Sequence, residues 1–124
     1  MHKLFLTIGS LAMALAVMLG AFGAHGLKNI LSEEMLAIYE TGVTYHFYHA
    51  IGLLAVGIIA RYLPGSGLLS WSGWLMLAGI IIFSGSLYLL SLSGIRWLGA
   101  VTPAGGLCFI ASWILFALAV WKNI

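Results

Sequence analysis

Charge is what this chain has least of. Across 124 residues there are five Lys and Arg and three acids, Glu33, Glu34 and Glu40, with no aspartate at all. Soluble domains carry about 25% charged residues, and 6% here excludes that class. With so few basic residues scattered at segment ends, no face can follow a phosphate backbone, so nucleic acid is not an expected partner. The single cysteine, Cys108, excludes an intrachain disulfide and, inside an apolar run, reads as a buried structural thiol. Nucleophile-elbow and phosphate-loop patterns are missing too. A hydrolase needs a buried nucleophile with a base in reach, and only Ser84 with His46 could be written as one, without support from spacing. The expectation is a protein that is not an enzyme.

What fills the chain instead is apolar: 63% hydrophobic residues and a mean hydropathy of +1.13. Crossing roughly 30 Å of hydrocarbon takes about 20 helical residues, and four stretches are long enough: Leu4 to Ala24, Val43 to Ala60, Trp71 to Leu92 and Leu98 to Trp121. Tyr62, Trp71, Trp74, Trp97 and Trp121 stand near their ends, where amphipathic rings anchor at the membrane interface. The predicted fold is all-α: one transmembrane domain over residues 1–124, an integral membrane four-helix bundle. The only long link, His25 to Gly42, holds all three acids. Its stretch "SEEMLAIYE", with Ser32 as N-cap ahead of Glu33 and Glu34, predicts a short interfacial helix between helices one and two, unless it leads directly into the second span.

Lys3 and "AFGA" also fit a cleaved leader, but Ala12, Ala16, Gly20 and Ala24 recur every four residues, predicting a close-packing ridge in a retained helix. An even number of spans puts both termini on one side. Lys3, Arg61 and Lys122 share it against Lys28 and Arg96, which predicts cytoplasmic termini and an outer acidic link.

Polar residues gather in four strings: "GAFGAHGL", "TGVTYHFYH", "FSGSLY" and "VTPAGG". Alternating helix directions bring all four into one leaflet. The predicted pocket there is built from His25, Glu40, Tyr45, His46, His49, Ser84, Ser86, Tyr88 and Thr102, at a lip that water can reach. His46 and His49, three apart, share a helical face, and ionisable groups inside a span face the bundle interior or a cavity. The sharp reading of His25, His46 and His49, with Glu40 or Glu33 as an oxygen ligand, is a metal site. Hydrogen bonding between helices is the favoured one, since no ligand motif of known spacing is present. An i, i+3 pair cannot clamp a haem from both faces, so no cofactor and no metal are expected. The serines, Thr102 and the glycines, taken singly, read as ordinary helix-contact residues.

Four longer strings, "GAFGAHGL", "ETGVTYHFYHAIGLL", "FSGSLYLL" and "VTPAGGLCFIASW", come in order along the chain. In them the sequence closely resembles, over essentially its whole length, the uncharacterised small bacterial inner-membrane proteins of the YgdD and YwdK type, which have animal relatives. The resemblance implies a four-helix protein of the bacterial inner membrane, with no catalytic residue to carry over. The function expected is non-catalytic: an outer-leaflet polar pocket for a small ligand, a lipid headgroup or a partner protein. The alternative is a proton- or ion-coupled transporter or channel, with His46, His49, Ser84 and Ser86 as relay. Four short helices make a poor path alone, so transport requires a homo-oligomer. Membrane lipids, further copies of the chain or another membrane protein are the expected partners.

Overall fold

A computed structural model describes residues 1–124. Every regular element is helical. Helix α1 runs His2–His25, α2 Glu33–Ala60 and α3 Gly67–Gly79; a π-helical turn, Ile80–Ser84, joins α3 to α4, Gly85–Ser93. A 3-10 turn, Arg96–Ala100, leads into α5, Thr102–Asn123. Since α3, the π turn and α4 form one rod, Gly67–Ser93, four helical lengths are long and apolar enough to cross a membrane.

Local chemistry sets the boundaries. Ser32 accepts from the Met35 amide at 3.2 Å and Glu33 and Glu34 occupy the first turn, so α2 starts there with one orphan donor satisfied and its dipole complemented. Ser66 does the same for α3 through the Leu69 amide at 3.3 Å. Gly94 ends α4 at φ 75°, left-handed backbone that glycine enters without a Cβ penalty. Pro103 lies in the first turn of α5, where its missing N–H costs nothing.

The acidic link corrects one expectation. No separate interfacial helix lies between α1 and α2: "SEEMLAIYE" supplies the opening turns of α2, which continues unbroken to Ala60. No glycine or proline interrupts Glu33 to Thr41, so nothing stops the helix once Ser32 has capped it.

Consecutive rods run antiparallel, α1 on α2, α2 on the α3–α4 rod, and that rod on α5. Small residues let the backbones close. A Cβ added at Gly57 would fall 2.8 Å from the Leu6 amide nitrogen, and one at Gly9 3.0 Å from that of Leu54. Along α1 the buried positions are Phe5, Gly9, Ala16 and Gly23. Of the predicted ridge, Ala16 is buried, Ala12 packs half-buried against the core, Gly20 faces Val43 and Phe47 of α2, and Ala24 is exposed. Two helices that wrap around each other present a seam of about 3.5 residues, which steps through Gly9, Ala16 and Gly23 in sevens.

Burial is uneven along the bundle, with one buried polar contact, Ser72 donating to the Ser112 carbonyl, beside the apolar core. Near the chain ends Phe5, Leu53, Val56, Leu69, Met76 and Ala119 belong to one apolar core. Away from them the buried side chains include Tyr39, His46, Ser84, Ser86 and Ser91.

Candidate functional site

His46 and His49 are both buried, 1% and 4% exposed, on the inward face of α2. They lie deeper than the sequence reading put them. The Ala12 backbone faces His46, and both it and Ile80 stand near the middle of their rods. The reason is the early start of α2 at Glu33, which turns an expected first turn into an interior one.

The two imidazoles make different bonds. Nδ1 of His49 donates to the Tyr45 carbonyl at 2.7 Å, one turn earlier, and its Nε2 accepts from the Trp113 indole N–H at 3.0 Å. Those partners fix the Nδ1–H tautomer. The His49 ring lies 3.4 Å from that of Phe109, nearly parallel at 9°. Tyr45 stacks in the same orientation on Phe109 and lies 4.8 Å from Phe83. Tyr45, His49, Phe109 and Trp113 wall a groove of about 490 Å³ between α2 and α5, bordered also by Tyr48, Ile51 and Ile110.

Nδ1 of His46 instead lies 2.8 Å from the Tyr88 hydroxyl. That hydroxyl has no other side-chain or backbone partner, so donation from Tyr88 to Nδ1 satisfies both groups and leaves the proton of His46 on Nε2. Tyr39 backs the pair, its ring 5.4 Å from that of Tyr88 and its hydroxyl donating to the Leu19 carbonyl of α1. Glycines admit these rings: a Cβ at Gly42 would meet Tyr88 at 2.9 Å, and one at Gly23 would meet Tyr39 at 2.5 Å.

The serines bond elsewhere. Ser84, at the end of the π turn, donates to the Gly42 carbonyl of α2 at 2.7 Å. Ser86 meets Thr102 at 2.6 Å and also donates to its own helix at Phe83.

Of the nine predicted pocket residues, the structure joins Tyr45 to His49, His46 to Tyr88 and Ser86 to Thr102, and turns Ser84 onto backbone. They line no common cavity. His25 is exposed at the end of α1, and exposed Glu40 borders a separate small cleft with Gly20, Gly23, Ala24 and Thr44. His25, His46 and His49 do not converge, and nowhere do three His, Cys, Asp or Glu side chains come close enough to hold a metal ion. Three participants escaped the sequence reading: Tyr39, Phe109 and Trp113. A signal for the last existed, since Trp113 stands inside its span, away from the interface where Trp usually collects.

The chain resembles known proteins along nearly all of its length. It is 51% identical over 120 residues to the UPF0382 membrane protein YwdK of Bacillus subtilis (strain 168), covering 97% of this chain and 98% of that protein. With the UPF0382 membrane protein SSP2132 of Staphylococcus saprophyticus it shares 48% over the same length, covering 97% and 98%. No solved structure gives a significant match. Residues 19–106 match the family described as "Protein of unknown function (DUF423)". The chain belongs to that family and is a multi-pass membrane protein.

Proposed function

We propose that this protein is a non-catalytic binder of a lipid-like apolar ligand, held against the aromatic wall between α2 and α5. The observation that carries the reading is the chain of bonds from Trp113 through His49 to the Tyr45 carbonyl. It locks the rings in place and uses both imidazole nitrogens, so the wall offers ring faces and edges rather than free polar groups. A groove of about 490 Å³ lies within the range of small-molecule sites, which are mostly apolar and largely preformed. A polar headgroup would find little there to bond, which moves the expected ligand from a headgroup to an acyl chain or a ring.

The pairwise closure of Ser84, Ser86, Thr102 and His49 supports binding over an ion relay, which needs polar groups that can exchange partners. Residence in the bacterial inner membrane, cytoplasmic termini and self-association belong to the same proposal, the first from the family resemblance and the second from the Lys and Arg distribution. Native mass spectrometry of the protein released from lipid nanodiscs tests the ligand. Retained lipid-sized mass is expected in the parent and lost in Trp113→Ala; equal retention by both would overturn the aromatic groove as the site.

A further inference from the structure

On the opposite side of α2 a second groove, about 280 Å³, opens between α1 and α3, lined by Ile8, Leu11, Leu15, Leu77, Ile81 and His46. Here Nε2 of His46 is the one buried side-chain nitrogen or oxygen in the protein without a hydrogen-bond partner. Leaving a donor unmade in such surroundings is costly, and native proteins seldom do so without a use. We propose that this groove binds a membrane-soluble quinone or aromatic ketone, whose carbonyl oxygen accepts the hydrogen of His46 Nε2.

The polarity of the ligand follows from the tautomer. Donation by the Tyr88 hydroxyl to Nδ1 puts the hydrogen on Nε2. The reverse arrangement would leave the Tyr88 hydrogen and the Nε2 lone pair both unused, in an apolar interior. The Ala12 backbone lies close to the ring as well, but not in hydrogen-bonding geometry with Nε2, which stays without a partner. So the group on offer is a donor, and its complement is an acceptor without a charge. Water fits poorly, because a buried water needs two to four polar partners and the other lining side chains are all aliphatic.

Depth selects among carbonyls. The site lies beside Ala12, the eleventh residue of α1, roughly 15–20 Å from either end of that helix at 1.5 Å per residue. Lipid ester groups sit at the edges of a hydrocarbon layer roughly 30 Å thick, too far out to reach it. A ring carbonyl on an apolar molecule can travel that deep, and a single ring with its tail laid along the groove suits the volume. Nε2 itself is covered by the side chains around it. Leu11 and Leu15, 67% and 47% exposed, line the groove, where a change of rotamer would admit an oxygen.

The inference is independent of the aromatic groove, which uses other residues and the other face of α2. The test is nuclear magnetic resonance of histidine-labelled full-length protein in lipid nanodiscs, titrated with a decyl-substituted benzoquinone and, separately, with decylbenzene. The expected result is a saturable downfield shift of the His46 Nε2–H proton with the quinone and none with decylbenzene. Leu15→Trp, which fills the groove and leaves the imidazole in place, should abolish the shift. His46→Phe should weaken quinone binding roughly three- to tenfold, the effect of one lost hydrogen bond. Observation of His46 as the Nδ1–H tautomer, an equal response to decylbenzene, no saturable response, or a shift unaffected by Leu15→Trp would each overturn the proposal. A shift confined to His49 would overturn it as well and point to the aromatic groove.

Discussion

The indole of Trp113 and the imidazole of His49 are bonded across the α2–α5 interface, with the Trp N–H donating at 3.0 Å to a nitrogen that has no other partner. Trp113→Phe keeps a ring and removes the donor. Polar contacts between membrane helices are worth about 0.6 kcal/mol on average and up to about 1.7. The expected loss lies in that range, and a double-mutant cycle with His49→Ala should return a coupling of similar size. Additive losses, measured by thermal unfolding in detergent, would mean that the two rings do not interact energetically.

Gly105 and Gly106 are neighbours with opposite tolerance. A Cβ at Gly105 would strike the Phe83 backbone, which cannot rotate away, whereas one at Gly106 would sit 3.9 Å from the Phe83 ring. Gly105→Ala should therefore lower stability by about 1–3 kcal/mol, the usual cost of overpacking. Gly106→Ala should be neutral or slightly stabilising, because helical glycine carries an entropic cost of roughly 0.5–1 kcal/mol. The midpoint temperatures of the two variants should separate accordingly.

The same contrast holds along α1. Gly23→Ala drives a methyl into the Tyr39 ring and should break the Tyr39 bond to Leu19, while Gly20→Ala makes only ordinary contact with Val43 at 3.4 Å. Tyrosine fluorescence and melting temperature should change for the first and hold for the second.

Arg96 grips both oxygens of Glu34, at 2.8 and 3.4 Å, tying the 3-10 turn to the start of α2. Both side chains are well exposed, 67% and 59%, so the pair is screened by salt. Arg96→Gln should lower the melting temperature only slightly in dilute buffer, and the difference from the parent should vanish at high salt. A salt-independent loss would assign Arg96 a packing role instead.

Orientation is open to direct labelling. A cysteine introduced at Ser32, in the turn before α2, should react with an impermeant maleimide in intact cells, as expected for an outer acidic link. Reaction only after the cytoplasmic face is opened would reverse the topology.

Much of the architecture was legible because a bilayer imposes length and hydropathy on any helix that crosses it, and Ser32, Ser66, Gly94 and Pro103 mark boundaries by local chemistry. The deepest line of contact on α1 was only partly legible, since small residues occur at both spacings in that helix and the partner decides how closely Gly20 and Gly23 approach. Shared position near one end of the bundle brought His25 to the histidines, while Glu40, about 120° round the helix from His46, points elsewhere on the unbroken α2. Which neighbour each imidazole takes depends on helix rotation about its axis, which no spacing rule supplies for Trp113, Phe109 or Tyr88.

The π turn at Ile80–Ser84 controls that rotation for the far half of the third rod. A π turn holds one residue more than an α-helical path of the same rise. Everything after it is thereby turned back by about 100° from where an uninterrupted α-helix of the same sequence would place it. Ser84 on Gly42, Ser86 on Thr102 and Tyr88 on His46 all lie at or beyond it. Loss of a single codon between Ile80 and Phe83 would therefore straighten the helix and leave all three side chains facing their partners, whereas one further inserted residue, with no second bulge to absorb it, would swing all three away at once. Membrane insertion and the polar half of the bundle are thus separable by one inserted residue, with the π turn acting as the clutch that already absorbs one.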